Sequence, residues 1–176
     1  MAVVVLVVSG APLAQRVGDM VRTLTGASWE TYVVGSPSSA AWIDVDTQSD
    51  LNMRFEFRKP TQGKRTPPAD ALVVCPATFN TTNKIAAGIT DNYAVSLVCE
   101  SIGETIPTVV APMVNNKLWA HLSWQPTLNA LVGAGVRLLD VQSGGSGTSP
   151  VQSGTGDQVV QLFQPTWLVN VLEPFR

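Results

Sequence analysis

Charge is scarce in this chain. Asp, Glu, Lys and Arg make up 14% of its 176 residues and the formal net charge is −2. With no dense Lys/Arg stripe either, binding a phosphate backbone is excluded as the main task, and no nucleic-acid partner is expected. The most basic stretch, "RKPTQGKR" from Arg58 to Arg65, is rich in turn formers and reads as a solvated loop. Cysteine is almost absent: Cys75 and Cys99 sit in apolar stretches without C-x-x-C spacing, which excludes a zinc site and a disulfide framework. They read as reduced core residues of a cytoplasmic protein, and no metal ligand set is expected. Long apolar runs are lacking too. The opening "MAVVVLVVSGAPLA" has no basic flank, and its seven apolar residues from Ala2 to Val8 cannot cross a bilayer, so no membrane partner is expected and the run reads as a buried strand. Neither G-x-G-x-x-G nor G-K-[ST] occurs, so the standard dinucleotide and Walker loops are missing.

What the chain does have is apolar bulk. At 45% hydrophobic residues and one domain's length, it should bury roughly two thirds of its unfolded surface, with part of the remainder covered by copies of itself. We find no repeat and no linker, so residues 1–176 are expected to form one domain.

Short β-branched runs alternate with segments of helical period, the pattern of an α/β open parallel sheet with helices on both faces. Val3 to Val8, "WETYVV", "ALVVC", "TVVAPM" and "VRLLD" read as strands, and "NMRFEFR" as a further strand or an edge. Leu13, Val17, Met20, Val21 and Leu24 fall at helical spacing. "SPSSAAWI" opens a helix with Ser36 or Ser38 as cap, and Thr127 to Val132 and "PTWLVNVLEPF" read as helices. Ile85, Ile89, Tyr93 and Leu97 predict one long helix or two abutting ones. Within it Gly88 costs about 1 kcal/mol relative to Ala, with close packing as one compensation. Residues 142–157, dominated by Gly, Ser and Thr, have too little apolar surface to order themselves and read as a flexible flap.

In open parallel sheets ligands lie beyond the carboxyl ends of the strands. Every unusual cluster of small polar residues falls there: "SGAP", "GSPSS", "PATFNTTN" and "PMVNN". Hydroxyls and free N–H groups at helix N-termini suit an anion, and the missing dinucleotide fingerprint points to a mononucleotide with one phosphate.

Two of these clusters are specific. "PATFNTTNKIAAGITDN", residues 76–92, resembles the P-A-S-A-N-T…N-K-x-A-x-G-I-x-D-N signature of the homo-oligomeric flavin-containing cysteine decarboxylases, the family of phosphopantothenoylcysteine decarboxylase and the lantibiotic decarboxylases. "PMVNNKLW", Pro112 to Trp119, is similar to that family's P-x-M-N-x-x-M-W, while "SGAP" and "SPSS" resemble its T-G-S-I and T-P-S-A segments. The resemblance implies a flavodoxin/Rossmann-like three-layer sandwich, with FMN bound where the subunits of a trimer meet, sometimes within a dodecamer. It implies that Gly10, Ala11, Pro12, Ser36 and Ser38 hold the phosphate, that Thr78, Phe79, Asn80, Thr81 and Met113 line the flavin, and that Asn115 holds the substrate carboxylate. The implied reaction is the oxidative decarboxylation of a peptide or small molecule ending in a cysteine carboxylate, giving an enethiol.

The sequence departs from the family mildly in Pro112-Met113-Val114-Asn115, where the two residues before the asparagine are exchanged, and more seriously at two points that bear on the chemistry. The family's histidine before the central strand has no counterpart, which leaves Glu56, Arg54 or the single histidine, His121, as replacements. The flap cysteine of an A-C-G-D segment is replaced by Thr155 in "GTGD", which favours the oxidative type that releases the enethiol.

Overall fold

The computed structural model describes residues 1–57, 59, 61 and 67–175. Apart from Lys59 and Thr61, the basic stretch 58–65 lies outside the described residues.

Five parallel strands form one sheet in the order β2-β1-β3-β4-β5: β1 is Ala2–Val8, β2 Trp29–Gly35, β3 Ala71–Ala77, β4 Thr108–Pro112 and β5 Arg137–Leu138. The register sets Val8 beside Gly35, Val7 beside Val74, and Val74 beside Val110. An all-parallel sheet needs cover on both faces, which explains the unbroken apolar run of β1. Val4, Leu6 and Val8 point into one core with Met20, Leu24, Leu168 and Leu172, whereas Val5 and Val7 point into the other with Ile85, Val95, Val98 and Leu131. Each such side chain contributes about 1.5–3 kcal/mol through burial.

The first face is covered by α1 (Val17–Gly26), α7 (Gly156–Leu162) and α8 (Thr166–Leu172), the second by α3 (Phe79–Ala87), α4 (Tyr93–Gly103) and α6 (Trp124–Gly133). Two shorter helices, α2 (Val45–Asp50) and α5 (Asn116–Trp119), sit at the periphery. Among the described residues no helix is long and apolar enough to cross a membrane.

Several expectations are corrected. Among its described residues "NMRFEFR" forms no continuous strand and touches the sheet edge at a single point, where Arg54 makes an isolated parallel bridge to Val34 of β2. Its alternating apolar residues serve separate contacts, Met53 against the first core, Phe55 against Gly35 and Phe57 edge-on to Tyr93. The stretch after β2 does open a helix with Ser36 at the cap position, but it is the 3-10 helix Pro37–Trp42, and Ser36 makes no side-chain cap bond. Gly88 is not inside a helix. It ends α3 in the left-handed conformation at φ 67°, and a β-carbon there would meet nothing within 4 Å, so it is a terminator and not a packing glycine.

Segment 142–157 has few apolar residues, and it is held by hydrogen bonds within itself and by bonds from Val151 and Ser153 to residues 114–116. Gln142 donates to Ser149 and the Pro150 carbonyl, and Val151 is its buried anchor.

Candidate functional site

Strand order reverses between β1 and β3, since β2 lies to one side of β1 and β4 beyond β3. The crevice at their carboxyl ends is therefore the expected ligand position. Ser9, fully buried one residue past β1, ties the two strands together at this point. Its hydroxyl donates to the Pro76 carbonyl at 2.7 Å and accepts from the Thr78 N–H at 2.8 Å. The loop starting at Gly10 is thereby set beside the start of α3.

The loop after β2 closes against the same place. The Ser36 N–H donates to the Val8 carbonyl, and the Ser36 and Ser38 hydroxyls lie 3.1 Å apart. Gly10 packs so tightly on Ser38 that a β-carbon has no room. Gly10, Ala11, Pro12, Ser36 and Ser38 are thus brought together. Thr78 caps α3, accepting from the Thr81 N–H at 3.1 Å and donating to the Thr81 hydroxyl at 3.0 Å. The cap leaves the Phe79 and Asn80 N–H groups, the first two of the helix, without intrahelical acceptors, and the Asn80 side chain is exposed beside them. Two hydroxyls, two free N–H groups and a glycine cradle at one rim suit a phosphate monoester.

Met113, buried just past β4, donates its N–H to the Ala77 carbonyl at 2.8 Å, so it sits beside the end of β3. Asn115 follows. Its Oδ1 accepts the Lys117 and Leu118 N–H groups, both at 3.0 Å, as the cap of α5. The oxygen is committed, and the amide NH2 is the end left to donate. Phe79 stacks on Trp124 at 5.5 Å between ring centroids, and Trp119 lies against the same indole at 5.4 Å. The buried Trp124 Nε1 has no hydrogen-bond partner.

The two candidate bases sit apart from each other. His121 is exposed and edge-on to Phe79 at 5.7 Å, while its Nδ1 accepts from the Ser123 N–H at 3.2 Å and lies 2.9 Å from the Ser123 hydroxyl. Glu56 is exposed on the segment that pairs with β2, and two strands, β1 and β3, separate β2 from the β4 end that carries Asn115.

Sequence reasoning missed three residues. Ser9 belongs to the "SGAP" cluster, yet nothing local signals its partners 67 and 69 residues away. Asn116 accepts the Ser153 N–H through its side chain, across 37 residues. Gly156 packs against Pro12 and Met113, bringing the start of α7 to the rim.

A family model described as Flavoprotein matches residues 2–157. The chain is 22% identical over 177 residues to the coenzyme A biosynthesis bifunctional protein CoaBC of Haemophilus influenzae, covering 91% of this chain and 42% of that protein. It spans less than half the length of the curated relatives it matches. Among solved structures, a PPC decarboxylase mutant complexed with pantothenoylaminoethenethiol superposes with a TM-score of 0.71 at 22% identity, covering 99% of this chain and 97% of that one. The FMN-dependent cysteine decarboxylase SpaF gives a TM-score of 0.70 at 22% identity, covering 92% and 97%. At this identity the superpositions establish a shared fold.

Proposed function

The chain belongs to the Flavoprotein family, and we propose that it binds FMN at the rim between β1 and β3 and oxidatively decarboxylates a cysteine carboxyl terminus. A peptide is the preferred substrate and a phosphopantothenoyl conjugate the second choice. One observation carries the reading: the Asn115 amide is fixed by its own cap bonds, NH2 end free, two residues past Met113 at the end of β4.

Gly10, Ala11, Pro12, Ser36 and Ser38 would hold the phosphate, and Thr78, Phe79, Asn80, Thr81 and Met113 would line the ring system. When bound, FMN supplies the acceptor for the hydride leaving the cysteine β-carbon, after which the carbon–sulfur double bond takes up the electrons released with CO2. Asn115 orients the carboxylate by hydrogen bonding. A neutral amide suits the step, because a full cation would stabilise the carboxylate charge that must disappear. Phe79, Trp119 and Trp124 form an apolar wall that sheds water from the carboxylate.

Thr155 spends its hydroxyl on the Gln152 carbonyl at 2.8 Å and offers no thiol for a second reduction. The enethiol would therefore be the product, with molecular oxygen as the terminal oxidant. His121, in contact with Phe79, and Glu56 are the two candidates for the proton acceptor. The exposed Leu118, Leu122, Phe57 and Val132 favour a homo-oligomer, a trimer or four trimers in a dodecamer. The free thiols of Cys75 and Cys99 fit a cytoplasmic setting.

The test is incubation of the purified protein under air with Cys-ending peptides. A product lighter by CO2 and two hydrogens is expected, and its absence from a protein that carries bound FMN defeats the reading. One observation favours a second reading, a flavin-binding structural or regulatory subunit: the chain has a single imidazole, and its Nδ1 is occupied by Ser123. That reading predicts a yellow oligomer inert toward every thiol. A flavin oxidoreductase acting on another small substrate would instead bleach with NAD(P)H.

A further inference from the structure

Beyond Asn115 the chain turns into α5, and a strand partner would normally be lost there. Residues 151–153 nevertheless stay paired with it. The Val151 N–H donates to the Val114 carbonyl at 2.9 Å, and the Asn116 N–H donates to the Val151 carbonyl at 2.8 Å, forming the parallel bridge between Asn115 and Val151. A parallel ladder would continue with the Ser153 N–H on the Asn116 carbonyl. That carbonyl already accepts the Ala120 N–H as part of α5. The Asn116 side chain takes over: its Oδ1 accepts the Ser153 N–H at 2.9 Å.

We propose that Asn116 is a positioning residue whose side-chain carbonyl adds one rung to this ladder and holds residues 151–153 in register beside Asn115. The inference rests on the reading of Asn115 as the carboxylate-holding residue, and it gives the polar segment its fixed point. Val151 is the segment's buried anchor, Gly154 has φ 87°, and Thr155 begins a new turn on Gln152. Without the rung, Gln152 to Gly154 keep no bond to α5. The segment then has more conformations to lose on binding substrate, which weakens binding and leaves the chemical step alone.

The experiment compares the FMN-loaded wild type with Asn116→Ala and Asn116→Asp, the latter keeping a side-chain oxygen acceptor. In the wild type, amide hydrogen exchange at Ser153 should be slower than at Gln152 and Gly154. In Asn116→Ala it should speed up at least tenfold, with FMN content unchanged, and in Asn116→Asp protection should return. With a Cys-ending peptide, KM should rise about tenfold in Asn116→Ala while kcat stays within about twofold, and the Asp variant should recover most of the loss. An unprotected Ser153 amide in the wild type overturns the proposal without any variant having to fold. So does an Asn116→Ala protein with unchanged exchange and KM, or an Asp variant that behaves like the Ala variant. If the wild type turns over no such peptide, the decarboxylase reading falls, and the exchange rates still decide whether the rung exists.

Discussion

A β-carbon added to Gly10 would stand 2.7 Å from the Ser38 hydroxyl oxygen and 2.8 Å from the Ser38 carbonyl oxygen. The second of these is backbone, so no side-chain rotation relieves the overlap, and the loops after β1 and β2 must move apart. Gly10→Ala should therefore weaken FMN binding at least tenfold, about 1.4 kcal/mol, in a flavin fluorescence titration. Gly26→Ala is the control, because its new methyl would meet nothing within 4 Å. Equal affinities in the two variants would remove Gly10 from the cofactor cradle.

Asn115→Asp separates the two jobs of that residue. A carboxylate can still accept the Lys117 and Leu118 N–H groups, since Asp caps helices about as well as Asn, so the fold and the bound flavin should survive. The donor end becomes an acceptor that repels the substrate carboxylate. Turnover of Cys-ending peptides should fall at least a hundredfold while the visible flavin absorbance is kept. Full activity in this variant would take Asn115 out of the mechanism.

What the sequence made legible follows from the range of the interactions involved. Val3 to Val8 could be read as a doubly covered strand because burial on both faces leaves an unbroken apolar run, and the sheet class followed from such runs alternating with helical periods. "NMRFEFR" misled because Met53, Phe55 and Phe57 have strand spacing although each packs on a different neighbour. Gly88 misled because Ile85 and Ile89 keep helical spacing across a left-handed residue that period counting does not detect. The polar rim was visible as composition. Its assembly depends on Ser9 and Asn116, whose partners lie far along the chain, and on α7, whose seven residues are too few for a clear period.

Ser9 should matter for stability as well as for the site. Ser9→Ala leaves the Pro76 carbonyl one partner, the residue 9 N–H at 3.1 Å, but strips the Thr78 N–H of its acceptor at the junction of two central strands. An orphaned donor of this kind costs roughly 1–3 kcal/mol. The urea midpoint should fall accordingly with the m-value unchanged. Ser9→Thr, which retains the hydroxyl, should lose less if the pocket admits a methyl. A midpoint unchanged in Ser9→Ala would mean the strand ends are held by other contacts.

The acid limb of the stability profile should carry the signature of Asp19. The Arg16 guanidinium hydrogen-bonded to it holds its carboxyl below the ordinary value of 3.8, against the opposing pull of partial burial. Arg16 also reaches the Val160 carbonyl at 2.7 Å, so the pair helps fasten α7 to α1. A carboxyl whose pKa is lowered by folding stabilises the native state fully above its unfolded pKa, and this contribution disappears as pH falls through the lower native value. Asp19→Asn should thus lower the urea midpoint by a constant amount from neutral pH down to about one unit above 3.8. Below 3.8 the wild-type and variant midpoints should converge. A gap of the same size at pH 7 and in strong acid would show that the aspartate acts through packing and not through its charge.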